Sequence, residues 1–415
     1  MDLRNIENLL YQCVDPSDPE HVSAKEAVAK HAQEMGWDHA EALMYHDLSK
    51  KVQVALEALP FYQDYKGCFV NQENGGYGFH PFMVAPDLVH ISFKRSVEAA
   101  VTYFRKMVSL PYADGYSTIL LLGLDLEKSF EVYPGVTLTR VEELPNSNSK
   151  EHYIADDSKW HFNNPHSGFV SAPKCALVRK IRIEPLVYHS GNEPKSKKPL
   201  ESDELFKDIA LLLTLVGPSP VLTSVHWFEF EDQDIQGVKP SGGGWHNYEI
   251  FPNTLPNKSL PIADASIYNT ISSYYNISDS KVKKRVAVAL ERLSASLRRR
   301  NPGDSALELS IALEIIFAED YGENTFKIGL RAALLLSDVV EQRQRIRSVI
   351  SSLYRQRSKL VHKGENSDTA KIKGYTTVSS VELVSEAADY VSKSIKKILE
   401  LGCIPDWNEY ELKIK

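Results

Sequence analysis

The chain of 415 residues is 43% hydrophobic and 25% charged, with a net charge of −7. That length supports two or three domains with cores of their own, and that balance excludes a fibrous or intrinsically disordered chain. The charge is uneven: residues 259–415 carry 24 Lys and Arg against 20 Asp and Glu, a net +4, which leaves −11 for residues 1–258. A polyanion is therefore expected at the carboxy-terminal part.

The opening MDLRNIENLL carries acids where a secretory signal needs a basic and then an apolar segment. The longest apolar runs, STILLLGL from Ser117 and IALLLTLVG from Ile209, are too short for a bilayer span. The expectation is a cytoplasmic protein with no membrane contact. Cys13, Cys68, Cys175 and Cys403 form no CxxC pair and read as reduced packing residues, so neither a disulfide framework nor a zinc site is expected.

Residues 1–60 read as a helical amino-terminal segment. SAKEAVAKHAQEMGW opens with a Ser able to cap and a Glu three residues on, and SKKVQVALEAL continues the helical spacing. The pair His46-Asp47 is a weak sign of a metal-dependent phosphohydrolase; a contact at a helix end accounts for it better, because the partners such a site needs are missing.

Residues 61–258 read as a mixed α+β sensor or regulatory region with an antiparallel sheet. GVTLTRVEEL, CALVRKIRIEPLVY and SVHWFEFED alternate with period two, and SVEAAVTYFRKMV is the clearest helix. NSNSKEHYIADDSKWHFNNPHSG and HSGNEPKSKKPLESDE read as exposed loops. His152, His161 and His166 of the first match no regular metal spacing and read as loop histidines. GGGW at Gly242–Trp245 lacks the Lys-Ser/Thr of a phosphate loop and reads as a flexible turn.

Residues 259–415 read as an all-α bundle. Six segments carry apolar residues at three and four spacing: IADASIYNTISSYYN, KVKKRVAVALERLSASLRRR, SALELSIALEIIFAED, TFKIGLRAALLLSDV, EQRQRIRSVISSLYRQRSKLVH and SVELVSEAADYVSKSIKKILELG. Their short connections predict antiparallel packing. The whole chain is thus expected to be a multidomain α+β protein.

Of the 13 histidines, only His362 falls in this bundle, which excludes a histidine metal cluster within it. Ser358 and Arg355 share its helical face, whereas Arg357 lies roughly 140° round. Gly364 supplies the left-handed residue that ends a helix, which places His362 in the last turn, where distortion would let Arg357 swing toward it. Carbonyls at such an end favour a positive charge, and an arginine beside them offers a fork for phosphate oxygens.

RSKLVH, from Arg357 to His362, resembles the R-x4–6-H motif of HEPN domains, polar second residue included. The frame resembles the Apea-like HEPN branch: ALEIIF with Glu314, LRAALLL with Arg331, LYRQRSKLVHKG, and a last helix closing in GCIPDW. The resemblance spans roughly Leu260 to Trp407. It implies a metal-independent endoribonuclease without cofactors, a homodimer in which two motifs face each other across one cleft. His362 would act as general acid or base, Arg357 would bind the scissile phosphate, Ser358 would be the polar second position, and the products would carry 2′,3′-cyclic phosphate and 5′-hydroxyl ends.

Helical facing favours Arg355 as the catalytic arginine and the family register favours Arg357. Supporting candidates are Glu314, Arg331, Tyr354 and Lys359, with Glu314 and Arg331 expected to pair as a buried structural link. A weaker expectation is an RNA track through Lys281–Arg285, Arg298, Arg299, Arg300, Arg343, Arg345, Arg347 and Lys363. STILLLGLDLEKSFEVYPGVTLTRVEEL is similar to what precedes the HEPN domain in other members, several of which resemble prokaryotic anti-phage toxins. By that resemblance the amino-terminal region would restrain the nuclease until a phage-derived trigger arrives. A non-catalytic HEPN module, dimerising or binding nucleotides, is the alternative.

Overall fold

The computed structural model of the chain describes residues 3–14, 47–73, 75–154, 172–192, 201–236, 244–245, 258–260, 265–319 and 325–412. SAKEAVAKHAQEMGW, His46, His161 and His166 lie outside them. The architecture is mixed α/β, with antiparallel sheets in the amino-terminal part and a helical carboxy-terminal region. No described helix is long and apolar enough to cross a membrane.

The first part packs helices α1 (Arg4–Val14), α2 (Asp47–Glu57), α3 (Pro81–Lys94) and α4 (Val97–Ser109) against the three-stranded sheet β2-β1-β8. Its strands are β1 (Cys68–Gln72), β2 (Gly75–Gly78) and β8 (Val187–His189). The α4 helix starts where the sequence predicts, because the Ser96 side chain accepts from the Ala99 N–H at 3.1 Å. Tyr62, Phe79 and Phe104 fill this core with ring centroids 5.3–6.2 Å apart, tilted edge-on or stacked.

The central sheet has six strands in the order β10-β9-β3-β7-β6-β5. They are β3 (Ala113–Leu122), β5 (Phe130–Tyr133), β6 (Val136–Arg140), β7 (Cys175–Ile183), β9 (Leu222–Phe230) and β10 (Gly244–Trp245). STILLL reads as a continuous apolar run because β3 lies mid-sheet and is buried on both faces. On one face Phe228 and Phe230 join the amino-terminal core, while Ile119, Leu121, Leu138 and Leu177 join the core of the carboxy-terminal helices. Ser117, Arg179 and His226 interrupt that face between the two. On the opposite face Leu120, Val225 and Trp227 form a smaller cluster, in which Tyr153 stacks on Trp227 at 5.7 Å.

Three loop expectations are corrected here, the first being the ESDE end of HSGNEPKSKKPLESDE, residues 201–204, which opens a helix. Part of the polar stretch around His152 is a short helix, α5 (Asn148–Ile154), fixed by burial of Tyr153. Gly244 and Trp245 of GGGW are not a turn: as β10 they pair with His226 and Val225 of β9. Between these, α6 (Glu201–Leu213) crosses the sheet, and a short parallel pair joins β4 (Leu124–Leu126) to β11 (Lys258–Leu260).

The helical region comprises α7 (Ala265–Asn276), α8 (Ser280–Arg298), α9 (Pro302–Phe317), α10 (Thr325–Leu336), α11 (Val340–Lys363), α12 (Ser380–Leu401) and α13 (Trp407–Leu412). Asp279 caps α8, Asn301 caps α9 with Pro302 at its first position, and Ser379 with Glu382 forms a capping box on α12. The region is not all-α, because a hairpin of β12 (Thr369–Lys371) and β13 (Thr377–Ser379) connects α11 to α12. Nor is it closed off from the sheet. One hydrophobic core runs from Ile119 and Phe206 through Leu290 and Leu313 to Ile395, and Ser392 Oγ on α12 donates to the carbonyl of Leu215 beyond α6 at 3.3 Å.

Candidate functional site

The α11 helix buries Ile346, Val349, Ile350 and Leu353 and stays helical to Lys363. Gly364 then takes φ 66°, and its N–H reaches the carbonyl of Leu360 at 2.9 Å. His362 is therefore in the last turn, where the glycine predicts it. The expected distortion is absent: the helix is continuous, so residues five apart diverge by roughly 140°. One chain alone does not bring Arg357 and His362 together.

Arg357 turns toward α9. Its Nη1 donates to Glu314 Oε1 at 2.5 Å, and its guanidinium lies 5.6 Å from the centre of the Tyr354 ring. The Tyr354 hydroxyl donates to the carbonyl of Ser310 at 3.3 Å. Burial pushes this phenol well above its ordinary range and the Glu314 carboxylate adds to the effect, so Tyr354 stays a neutral donor. The arginine side chain remains 31% exposed.

The expected link between Glu314 and Arg331 is not formed. Arg331 is fully buried and instead donates to Glu411 at 2.6 Å and to the carbonyl of Phe317 at 2.6 Å, with Glu319 at 3.4 Å. Glu319 also accepts from the Trp407 N–H at 3.0 Å, so Arg331 seats the PDW tail rather than the motif. A buried guanidinium takes whichever carboxylates the tertiary packing delivers, and here those come from the far end of α9 and from α13.

Arg355 faces the hairpin. It donates to Ser352 Oγ at 2.7 Å and to the carbonyl of Lys371 at 2.9 Å. Ser358, Lys359, His362 and Lys363 are exposed, and among the described residues His362 makes no side-chain hydrogen bond or ion pair. Gln356, which the sequence did not single out, is buried between these groups and donates to the carbonyl of Ser367 and to Ser380 Oγ at 2.9 and 2.8 Å. Its only signal was a polar residue on the apolar face of the helix. At the mouth of this region Gly303 allows close approach of α9 to the segment after α11, since a Cβ there would fall 2.3 Å from Asn366 Oδ1.

Many of the basic candidates are engaged by groups of the chain itself. Arg285 donates to the last carbonyls of α9, Ile315 at 2.8 Å and Ala318 at 3.1 Å. Arg299 and Arg292 converge on the buried Glu308 at 2.5 and 3.0 Å. Arg298 donates to the carbonyl of Ser294 at 3.2 Å. Arg343 pairs with Asp338 at 3.2 Å, Arg345 holds both oxygens of Glu386, and Arg347 lies over the ring of Phe326 at 4.6 Å. Lys283 sits over Tyr274 and Tyr275.

A second polar constellation, unforeseen in the sequence, interrupts the central sheet. His226 Nε2 lies 2.8 Å from Ser117 Oγ and 3.6 Å from Glu73, while its Nδ1 lies 3.5 Å from Asp203 of α6. Burial alone would lower the imidazole; the Asp203 and Glu73 carboxylates outweigh it and raise His226 above its ordinary value. Burial would raise Glu73, yet the His226 ring and the Ser117 and Ser202 hydroxyls beside it bring it below the usual carboxylate range. Comparison of the chain with family models, with curated proteins and with solved structures returned no match.

Proposed function

We propose that the chain is a metal-independent endoribonuclease of the HEPN kind, a homodimer that serves as an anti-phage abortive-infection effector. The observation that carries this reading is the contrast on α11: Arg357 is anchored by Glu314 yet partly exposed, and His362, two residues before Gly364, is exposed and unanchored among the described residues. His362 would take the proton of a 2′-hydroxyl or give one to the departing 5′-oxygen, and Arg357 would hold the non-bridging oxygens. The 2′-oxygen bonds to phosphorus as the 5′-oxygen leaves, which yields a 2′,3′-cyclic phosphate and a 5′-hydroxyl.

Because the two side chains diverge within one chain, a second copy would complete the cleft. The phage-derived trigger would act on the amino-terminal region. A non-catalytic HEPN module remains the second reading, supported by the way the Glu314 ion pair ties Arg357 into the packing.

The test is cleavage of total RNA in chelator with mapping of fragment ends. His362→Ala is expected to lower the rate by about 10²–10⁴-fold and Arg357→Ala by about 10²-fold or more, both without unfolding. Arg355→Ala should leave the rate per folded molecule unchanged while costing about 1 kcal/mol of stability through the hairpin. Parent-like cleavage by His362→Ala, or loss of parent cleavage in chelator, overturns the mechanism; a parent inert on RNA favours the second reading.

A further inference from the structure

Many arginines of the helical region are held by the chain, but four lysines around the end of α11 are not. Lys359, Lys363, Lys371 and Lys373 are exposed, and none makes a side-chain hydrogen bond or ion pair among the described residues. Two belong to the helix and two to the hairpin, and the packing brings both pairs to one surface. By helical geometry Ser352, Arg355, Lys359, His362 and Lys363 fall within an arc of about 100° on α11. The hairpin covers the start of that arc: the carbonyl of Lys371 accepts from Ser352 Oγ at 3.0 Å and from Arg355 Nη2 at 2.9 Å. Lys359, His362 and Lys363 emerge one to two turns further on, with His362 about 10 Å of helix beyond Arg355.

The hairpin cannot easily turn its lysines away. Ala370 and Ile372 are buried, which leaves Lys371 and Lys373 to solvent. The Tyr375 N–H closes the turn on the carbonyl of Ile372 at 3.0 Å, Gly374 takes φ 81°, and the Arg345 guanidinium lies 4.5 Å from the centre of the Tyr375 ring. Acids share this stretch: Glu365, Asp368, Glu382 and Glu386. Two of them are engaged, Glu386 by Arg345 and Glu382 by the Ser379 cap, so Glu365 and Asp368 stand against four lysines. The uncompensated charge is positive. Ammonium groups are point charges without a planar fork, so they suit the phosphates of a polyanion rather than its base edges.

We propose that the β12–β13 hairpin and the end of α11 form the surface that receives single-stranded RNA, with Lys359, Lys363, Lys371 and Lys373 holding its phosphates on the approach to His362. That the polyanion is RNA rests on the nuclease reading; the surface adds where the strand lies outside the cleft. Binding is measured without turnover, so the two readings fail separately. The probe is a fluorescein-labelled single strand of about 20 nucleotides with every 2′-oxygen methylated, which has no 2′-hydroxyl to attack. In the full chain, Lys371→Ala with Lys373→Ala is expected to weaken binding by about five- to tenfold at about 100 mM KCl, and to flatten the slope of log affinity against log salt by about 1.4. Lys66→Ala with Lys128→Ala removes the same charge from exposed positions of the amino-terminal part and should change neither quantity. No binding by the parent, parent-like binding by the hairpin variant, or an equal loss in the control variant would overturn the proposal. Hairpin-dependent binding by a parent that does not cut RNA would overturn the nuclease reading and leave the surface standing.

Discussion

His226 is held by carboxylates from two separate elements, Glu73 after β1 and Asp203 on α6, with Ser117 at its Nε2. Lys207 binds Asp203 at 2.6 Å, and Arg179 reaches Ser202 at 3.5 Å, so the cluster holds cations and anions alike. The folded imidazole titrates above the roughly 6.5 of an unfolded chain. Its protonated form therefore contributes stability that is whole below about pH 6.5 and lost as pH rises through the raised folded value. Glu73, displaced downward, contributes in the opposite sense: stability present above about pH 4.3 is lost as pH falls through its lowered value. Urea unfolding of His226→Gln beside the parent is expected to show a larger stability gap at about pH 6 than at about pH 9. An equal gap at both values would mean that the imidazole is neutral throughout. Nothing in SVHWFEFED announces this cluster, because its carboxylates come from 153 and 23 positions away along the chain. The same limit governed Glu314, whose helix was legible and whose partner was not: Arg331 and Arg357 were both reachable on paper.

Helix starts were legible wherever a side chain caps them, as Ser96, Asp279, Asn301 and the Ser379 box do. The β12–β13 hairpin was not, since its strands are three residues each and only Ala370 and Ile372 of that stretch are buried hydrophobics. The α5 helix escaped for the same reason, with Tyr153 its one buried apolar residue. Elements this small are set by what they pack on rather than by periodicity. Arg331 shows what joins the last elements: one buried guanidinium spans α10, the end of α9 and α13. Arg331→Leu strands Glu411 and the Phe317 carbonyl and is expected to cost about 3–5 kcal/mol in denaturant unfolding. A loss below about 1 kcal/mol would show that the PDW tail is held by Trp407 alone, whose indole N–H already donates to the carbonyl of Ile316 at 3.3 Å.

At the scale of the whole molecule, the divergence of Arg357 and His362 on α11 separates a site within one chain from a site between two. If each cleft takes its arginine from one copy and its histidine from the other, mixing Arg357→Ala with His362→Ala chains should restore a measurable fraction of parent RNA cleavage. Each variant alone stays inactive. The readout is the rate of the mixed dimer after co-expression with two different tags. An inactive mixture places both groups in one chain, or requires all four at once.

The apolar interior that runs from the β3 strand into the α12 helix bears on how such a protein can be re-engineered. A graft that joins a foreign front half at residue 258 would carry Leu290, Leu313 and Ile395 without the strand and helix surfaces that cover part of their cluster. Chimeras should succeed only when the donor's β3 to β7 strands and α6 travel with the helices. New inputs could then be built around the α1 to α4 layer, where the central sheet turns to a separate interior.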